Sequence, residues 1–423
     1  MPLSHSLRAF RHRNYRLYFF GQGTSQIGTW LQLIATSWLV YRLSGSAFLL
    51  GLAAFALQIP FLVLAPFGGV IVDRLVKRKV LYATQSVALA QSLVMLVLVA
   101  SGRIEPWHLV AGNFVLGMVN AFDSPARQSF LVELVGGRED LPNAIALSSA
   151  LMNGARFVGP MIGGVVIASA GVAWGFGLNS LSYLAVLGAL AAMRAPPRPP
   201  AARTTEGWAR ELLAGFRYAY GFLPTRSALL LLAAVSFFAQ PYQSLMPWFA
   251  KEVFLGNSET LGLLIGAGGF GAVSGMLYLA TRPSIRGLLR LLPMSAALAG
   301  LSLTCFSFAH TLWLALPLVF LTGMGIMLTA ASTNTVLQTI VEDRLRARVA
   351  ALYIMAFLGM SPLGALLAGT VSRVLAPPLT LALGGLCAAL AAAAYARTLP
   401  AIRREIRPLY ERLGIVQPRG PAQ

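Results

Sequence analysis

Residues 311–332 read Thr311-Leu-Trp-Leu-Ala-Leu-Pro-Leu-Val-Phe320-Leu-Thr-Gly-Met-Gly-Ile-Met-Leu-Thr-Ala330-Ala-Ser332, without one charged side chain. A helix needs about 20 mostly apolar residues to cross the hydrocarbon core of a bilayer. The run is continuous rather than alternating, so it is not a barrel strand, and a lone apolar segment in lipid must satisfy its own backbone as a helix. Runs of the same kind lie near 17–41, 47–72, 80–100, 107–124, 144–169, 173–193, 227–250, 260–280, 288–308, 349–371 and 376–396. Together they predict an all-α membrane protein of twelve transmembrane helices.

The composition agrees. The chain has 423 residues, 57% of them hydrophobic and 11% charged, with a mean hydropathy of +0.70. Soluble domains carry about 25% charged residues, so lipid has to solvate part of this surface. The basic start from Arg8 to Arg16 could mimic a signal peptide. The apolar run that follows exceeds the ~7–15 residues of a signal and leads straight into another span, so it reads as a retained first helix. Cys305 and Cys387 lie in apolar runs without ligand spacing and read as buried small hydrophobes, with no metal site implied.

A net charge of +19 would by itself suggest a nucleic-acid partner. Placing the charges removes that reading. With the N-terminus cytoplasmic, only Arg42, Arg103, Lys251 and Arg373 fall outside, Arg156 falls within a span, and the other twenty-eight Lys and Arg, Arg127 among them, fall inside. Such a bias is topological. It puts both termini in the cytoplasm and the charge against anionic headgroups.

The longest break, 194–226, separates six spans from six. It divides the chain into a first half at 1–193, a linker, a second half at 227–396 and a tail at 397–423. The linker opens with Ala195-Pro-Pro-Arg-Pro-Pro200, which is stiff and non-helical. From Glu206 to Leu223 a helix returns, with Trp208, Leu212, Phe216 and Tyr220 on one face, suited to a membrane or bundle surface. Asp123-Ser-Pro-Ala-Arg-Gln-Ser-Phe-Leu-Val-Glu133 is echoed by Ser332-Thr-Asn-Thr-Val-Leu-Gln-Thr-Ile-Val-Glu342, and Gly159-Pro160 by Ser361-Pro362. Two related six-helix halves are a transporter plan with the substrate path between them.

Polar residues at depth are the candidates for function. Arg156 lies about 10–13 residues into its span, near mid-membrane at about 1.5 Å per residue. It is either a contact for an anionic or acceptor-rich substrate or a strut bonded to helix carbonyls and amides. Of the fourteen acids only Asp123 enters a span, near its inner end. It can titrate, or it can cap the loop that begins at Ser124-Pro125. Gln22, Gln26, Gln32, Asn113, Asn120, Asn179, Gln240 and Gln243 add polar lining, with Trp30 and Met246 among the apolar surroundings. No Gly-x-x-x-x-Gly-Lys sequence is present for a nucleotide. No mid-membrane pairing of acids or His supports an enzyme.

Four segments carry a family likeness: Phe10-Arg-His-Arg-Asn-Tyr-Arg-Leu17 leading to Gly21-Gln22, the loop after span two, Ser124-Pro-Ala-Arg-Gln128 with Glu133-Leu-Val135, and Asn153 to Gly164. On these the chain resembles the major facilitator superfamily, in the bacterial branch of siderophore exporters and macrolide or multidrug efflux proteins. The loop, with Gly69, Asp73, Arg74, Lys77 and Arg78, resembles the superfamily's gating signature, with Val76 where glycine is usual. Gly154, Arg156, Gly159, Pro160, Gly163 and Gly164 resemble the span-five signature of antiporters, with Ala155 in place of a usual glycine. Asn113 stands where the superfamily often has a span-four arginine.

The resemblance implies the major facilitator fold, with two pseudo-symmetric six-helix halves. It also implies a secondary transporter, monomeric and without cofactor, in a bacterial inner membrane. Such a protein exports a small, fairly apolar drug-like molecule or siderophore by alternating access in exchange for protons. Asp123 is the coupling candidate. An importer or uncoupled facilitator on the same fold is the alternative.

Overall fold

The computed structural model describes residues 7–135, 139–194, 217–282 and 284–412. Among them no strand occurs, and the chain is a succession of long helices. After a short 3-10 turn at Arg8–Arg11 come α1 (Arg13–Ser44), α2 (Ala47–Arg74), α3 (Lys77–Ala100), α4 (Pro106–Leu134), α5 (Leu141–Ala170) and α6 (Val172–Ala192). Then follow α7 (Leu223–Phe238), α8 (Tyr242–Trp248), a π-helical turn at Phe249–Val253, α9 (Ser258–Ala280), α10 (Leu288–Ser307) and α11 (Leu312–Ile340). The chain ends with α12 (Asp343–Ile354), a second π-turn at Met355–Gly359, α13 (Met360–Val371) and α14 (Pro377–Arg412).

Twelve helical stretches in the described residues reach at least the 20 residues of α10. Ten are long and apolar enough to cross a membrane, α7 to the first π-turn counting as one and Arg348–Val371 as another. The two that fall short are α1 and α4. Both are long, at 32 and 29 residues, and both bury polar groups: Gln22 and Gln32 in one, Asn113 and Asp123 in the other. These buried polar side chains lower the hydropathy of both helices.

Turns follow local chemistry. Gly45 ends α1 in the left-handed region at φ 61°, donating its N–H to Tyr41 O at 2.8 Å. Ser46 then caps α2 through its side chain, accepting from Leu49 N. The α2–α3 turn is only Leu75 and Val76. Val76 is extended at φ −69°, ψ 110°, so the position where the family signature has glycine needs none here.

The chain forms two compact units: residues 1–205 with 244–269, and 206–243 with 270–423. In the first, α1 packs on α5 and α6, α2 on α4, and α3 on α4 and α6. In the second, α7 packs on α13 and α14, and α10 on α11 and α14. The order of partners is the same, first helix on fifth and sixth and third on fourth and sixth, which is the internal repeat seen as packing.

Several boundaries differ from the sequence-based expectation. Span four does not stop at 124: α4 runs through Pro125 to Leu134. Asp123 is therefore inside a helix and caps no loop, and Arg127, assigned to a cytoplasmic loop, is helical too. Proline removes the N–H that would reach Ala121 O. That carbonyl is instead crossed by Gly68 of α2, where any Cβ would collide with it, so a neighbour's close approach accommodates the defect. Span ten extends likewise to Ile340.

Cys305 is exposed and Cys387 half-buried, against the expectation of burial. In lipid an apolar side chain has no reason to hide. Of the linker helix, Trp208, Leu212 and Phe216 lie outside the described residues; 217–221 are helical and Tyr220 is exposed.

Candidate functional site

Helical periodicity puts Asp123 and Arg127 of α4 one turn apart on one face. They form an ion pair in which both Nε and Nη2 of Arg127 meet Asp123 Oδ2. The Asp123 side chain is 1% exposed and that of Arg127 23%. Two neighbours on α3 complete the carboxylate: Thr84 Oγ1 donates to Asp123 Oδ1 at 2.7 Å and Gln85 Nε2 at 2.8 Å. From α1, Gln22 Oε1 accepts from Arg127 Nη1 at 2.8 Å. Tyr18 of α1 and Tyr183 of α6 lie within electrostatic range of both charges. Four helices thus converge on one buried, charge-compensated carboxylate.

A buried pair of this kind contributes little net stability, yet breaking it by removing one partner leaves an uncompensated charge and costs about 3–5 kcal/mol. Adding a proton to Asp123 makes the same change reversibly, turning a neutral pair into a lone cation held by Gln22.

A second buried network is structural. Asn179 Nδ2 donates to Gln32 Oε1 at 2.6 Å, and Gln32 Nε2 to Gln91 Oε1 at 2.9 Å. Ser182 Oγ donates to Asn179 Oδ1 at 2.9 Å, and Ser180 bonds Ser92 at 3.1 Å. This amide ladder ties α6, α1 and α3 together.

The other candidates distribute as follows. Asn113 Nδ2 donates to Ala53 O at 2.9 Å and straps α4 to α2. Asn120 is exposed, and Gln26 and Trp30 are half-buried. Gly159 packs directly on Trp30, and Gly163 on Leu31 and Ile34. Gly164 meets the backbone at Ser258, Glu259 and Gly262, while the Pro160 carbonyl lies over Gly262. Arg156 is half-buried and its carbonyl closes on Gly269. The span-five glycines, Gly154 apart, are therefore a close-packed seam within the first unit. Gly154 has open space around it.

In the second unit Gln243 Nε2 donates to Tyr242 Oη at 3.3 Å, and Gln240 Oε1 is buried without a hydrogen-bond partner among the described residues.

Of the gating signature, Gly69 has open space, Arg74 is exposed and the side chain of Asp73 lies outside the described residues. Lys77 and Arg78 open α3. Arg78 Nη2 donates to Ala191 O at 3.3 Å and Arg13 Nη1 to Ala192 O at 3.1 Å, two cations on the negative end of α6.

The Phe10–Leu17 motif docks beside them. Arg8 and His12 both meet Asp140, at 3.1 and 3.0 Å. Ala9 N donates to Asn143 Oδ1 and Tyr15 Oη to Ala144 O, each at 3.0 Å. No cluster of His, Cys, Asp or Glu suited to a metal occurs among the described residues.

Comparison with known proteins adds a lineage. The chain matches the profile of the transmembrane secretion effectors over residues 4–409. It is 26% identical to the staphyloferrin A transporter of Staphylococcus aureus, over 83% of this chain and 87% of that protein. It is equally similar, at 26% over 86% and 87%, to the enterobactin exporter EntS of Escherichia coli. Among solved structures, a bacterial homolog of the human lysosomal transporter Spinster superposes with a TM-score of 0.73 at 15% identity, covering 93% of this chain and 98% of that one. The nucleoside transporter NupG gives 0.67 at 12%, over 92% and 99%.

Proposed function

The chain belongs to the transmembrane secretion effector family, and from that we propose that this transporter of the major facilitator type exports a small, fairly apolar molecule in exchange for protons. It is a multi-pass membrane protein and not an enzyme, as its family and relatives are. The substrate class is a siderophore or a drug-like compound, a reading supported by the staphyloferrin A and enterobactin transporters among its relatives. The bacterial inner membrane is the expected location, with both termini cytoplasmic and the monomer as the working unit. The observation that carries the coupling is the Asp123 carboxylate, held 1% exposed against Arg127: an acid inside a span is an expensive group, and proton relays are among the functions such groups serve.

The test is efflux of a dye panel and a catecholate siderophore from loaded, energised cells, with and without protonophore. Wild type, Asp123→Asn and Arg156→Ala are compared at matched expression. Proton-driven export predicts faster loss than from empty cells, abolished by the protonophore and by Asp123→Asn. Loss of export in Arg156→Ala assigns that residue to the substrate; retention makes it a strut. Efflux indifferent to the protonophore overturns the coupling, and uptake in place of efflux overturns the direction.

A further inference from the structure

Gln85 holds an unexplained atom. Its side chain is 1% exposed, its Nε2 donates to Asp123 Oδ1 at 2.8 Å, and its Oε1 is buried without a hydrogen-bond partner among the described residues. Buried acceptors are nearly always satisfied, so each exception calls for a reason. Asp123 Oδ1 already takes the Thr84 hydroxyl at 2.7 Å, and Arg127 occupies Oδ2. Gln85 Nε2 and Arg127 can only donate to the carboxylate, while the Thr84 hydroxyl, which also lies 3.1 Å from Leu81 O, can donate or accept. A protonated acid needs an acceptor, and the orphaned Oε1 is one amide rotation away.

We propose that Gln85 is the positioning residue whose amide oxygen accepts a hydrogen bond from protonated Asp123. A half-turn about its terminal bond exchanges Nε2 and Oε1, so that the amide donates to the carboxylate and accepts from the acid. The rotation replaces one unmet amide group by another and leaves the protein with two nearly balanced states. On protonation a hydronium ion gives up a proton and becomes water, an O–H bond forms at Asp123 Oδ1 and donates a hydrogen bond to Gln85 Oε1, and Arg127 keeps its bond to Gln22. On release the proton returns to water and the amide turns back. No electron moves.

The charged and titratable groups that bear on Asp123 are Arg127 on its own helix, Tyr18 from α1 and Tyr183 from α6. The packed helix α2 brings Arg74, exposed at its last turn, and Asp73, whose side chain is outside those described; α3, the helix of Gln85, brings Lys77, Arg78, Lys79 and Tyr82 in its first turns. Of these, Arg127 is bonded to Asp123.

This inference rests on proton exchange at Asp123, and its test stands apart from transport. Infrared difference spectra between alkaline and acidic pH are recorded on the full-length protein in lipid vesicles for wild type, Asp123→Asn and Gln85→Met. A carboxylic C=O band that rises on acidification, is missing in Asp123→Asn and moves to higher frequency in Gln85→Met supports the assignment. A band unmoved in Gln85→Met, or no band removed by Asp123→Asn, overturns it. Gln85→Asn, an amide one methylene too short, replaces Gln85→Met if that variant does not fold, and the same upward shift is required. Protonophore-insensitive efflux together with a shifted band would sink the antiport reading alone; proton-driven efflux with an unmoved band would sink the role of Gln85 alone.

Discussion

At Gly28 one missing methyl lets three polar side chains meet. A Cβ there would collide with Ser182 Oγ and stand 2.6 Å from Asn179 Oδ1, the acceptor that closes the amide ladder. Gly28→Ala is expected to destabilise the protein by about 1–3 kcal/mol, the cost of overpacking, despite alanine's better helix propensity. Gly188→Ala, with open space around it, is expected to be neutral or to gain up to about 1 kcal/mol. Thermal unfolding in detergent checks both; equal shifts in the two variants would contradict the packing account.

At this scale the sequence was only partly legible. Asp123 stood out by elimination, as the one acid inside an apolar run. Its counter-ion did not, because Ser124-Pro125 reads as a break and so moves Arg127 into a loop. Thr84 and Gln85 were missed, although an amide inside an apolar run was a usable signal.

Helices were visible wherever apolar residues ran on, and their ends were not. Hydropathy falls where a helix leaves lipid, whereas the backbone continues beyond the apolar run, as α4 and α11 do for about two turns or more. The π-turn at Met355–Gly359 precedes Pro362, whose ring removes a donor and crowds the preceding turn.

The end of α6 makes an element-level prediction. Replacing Arg13 and Arg78 by alanine removes both side chains from its last carbonyls. Each such contact contributes about 0.3–1 kcal/mol at low ionic strength, discounted here because Arg13 is exposed. The double variant should melt earlier than wild type at low salt, and the gap should narrow at high salt. A gap independent of salt would point to lost packing instead.

Over the whole molecule, charge was more legible than contacts. The asymmetry of thirty-three basic residues predicts both termini in the cytoplasm. The exposed Trp107, Trp174 and Trp313 near the starts of α4, α6 and α11 fit the opposite interface. Green fluorescent protein fused after Gln423 should fluoresce, and alkaline phosphatase inserted at Gly102 should be active. The reverse pattern would invert the topology and the direction of the proposed transport with it.

The two polar helices also bear on how the chain is made. α4 is too polar to leave the translocon for lipid readily, but α2 and α3, its main partners, precede it and can receive it as it emerges. α1 has no such welcome: it packs chiefly on α5 and α6, which the ribosome has not yet made. Gln22 waits for Arg127 of α4 and Gln32 first for Gln91 of α3, but Asn179 and most of the helix's packing come last, and the basic stretch from Arg8 to Arg16 is expected to hold the newborn helix in its orientation until then. Biogenesis therefore places its most exacting moment at the first span, long before transport begins.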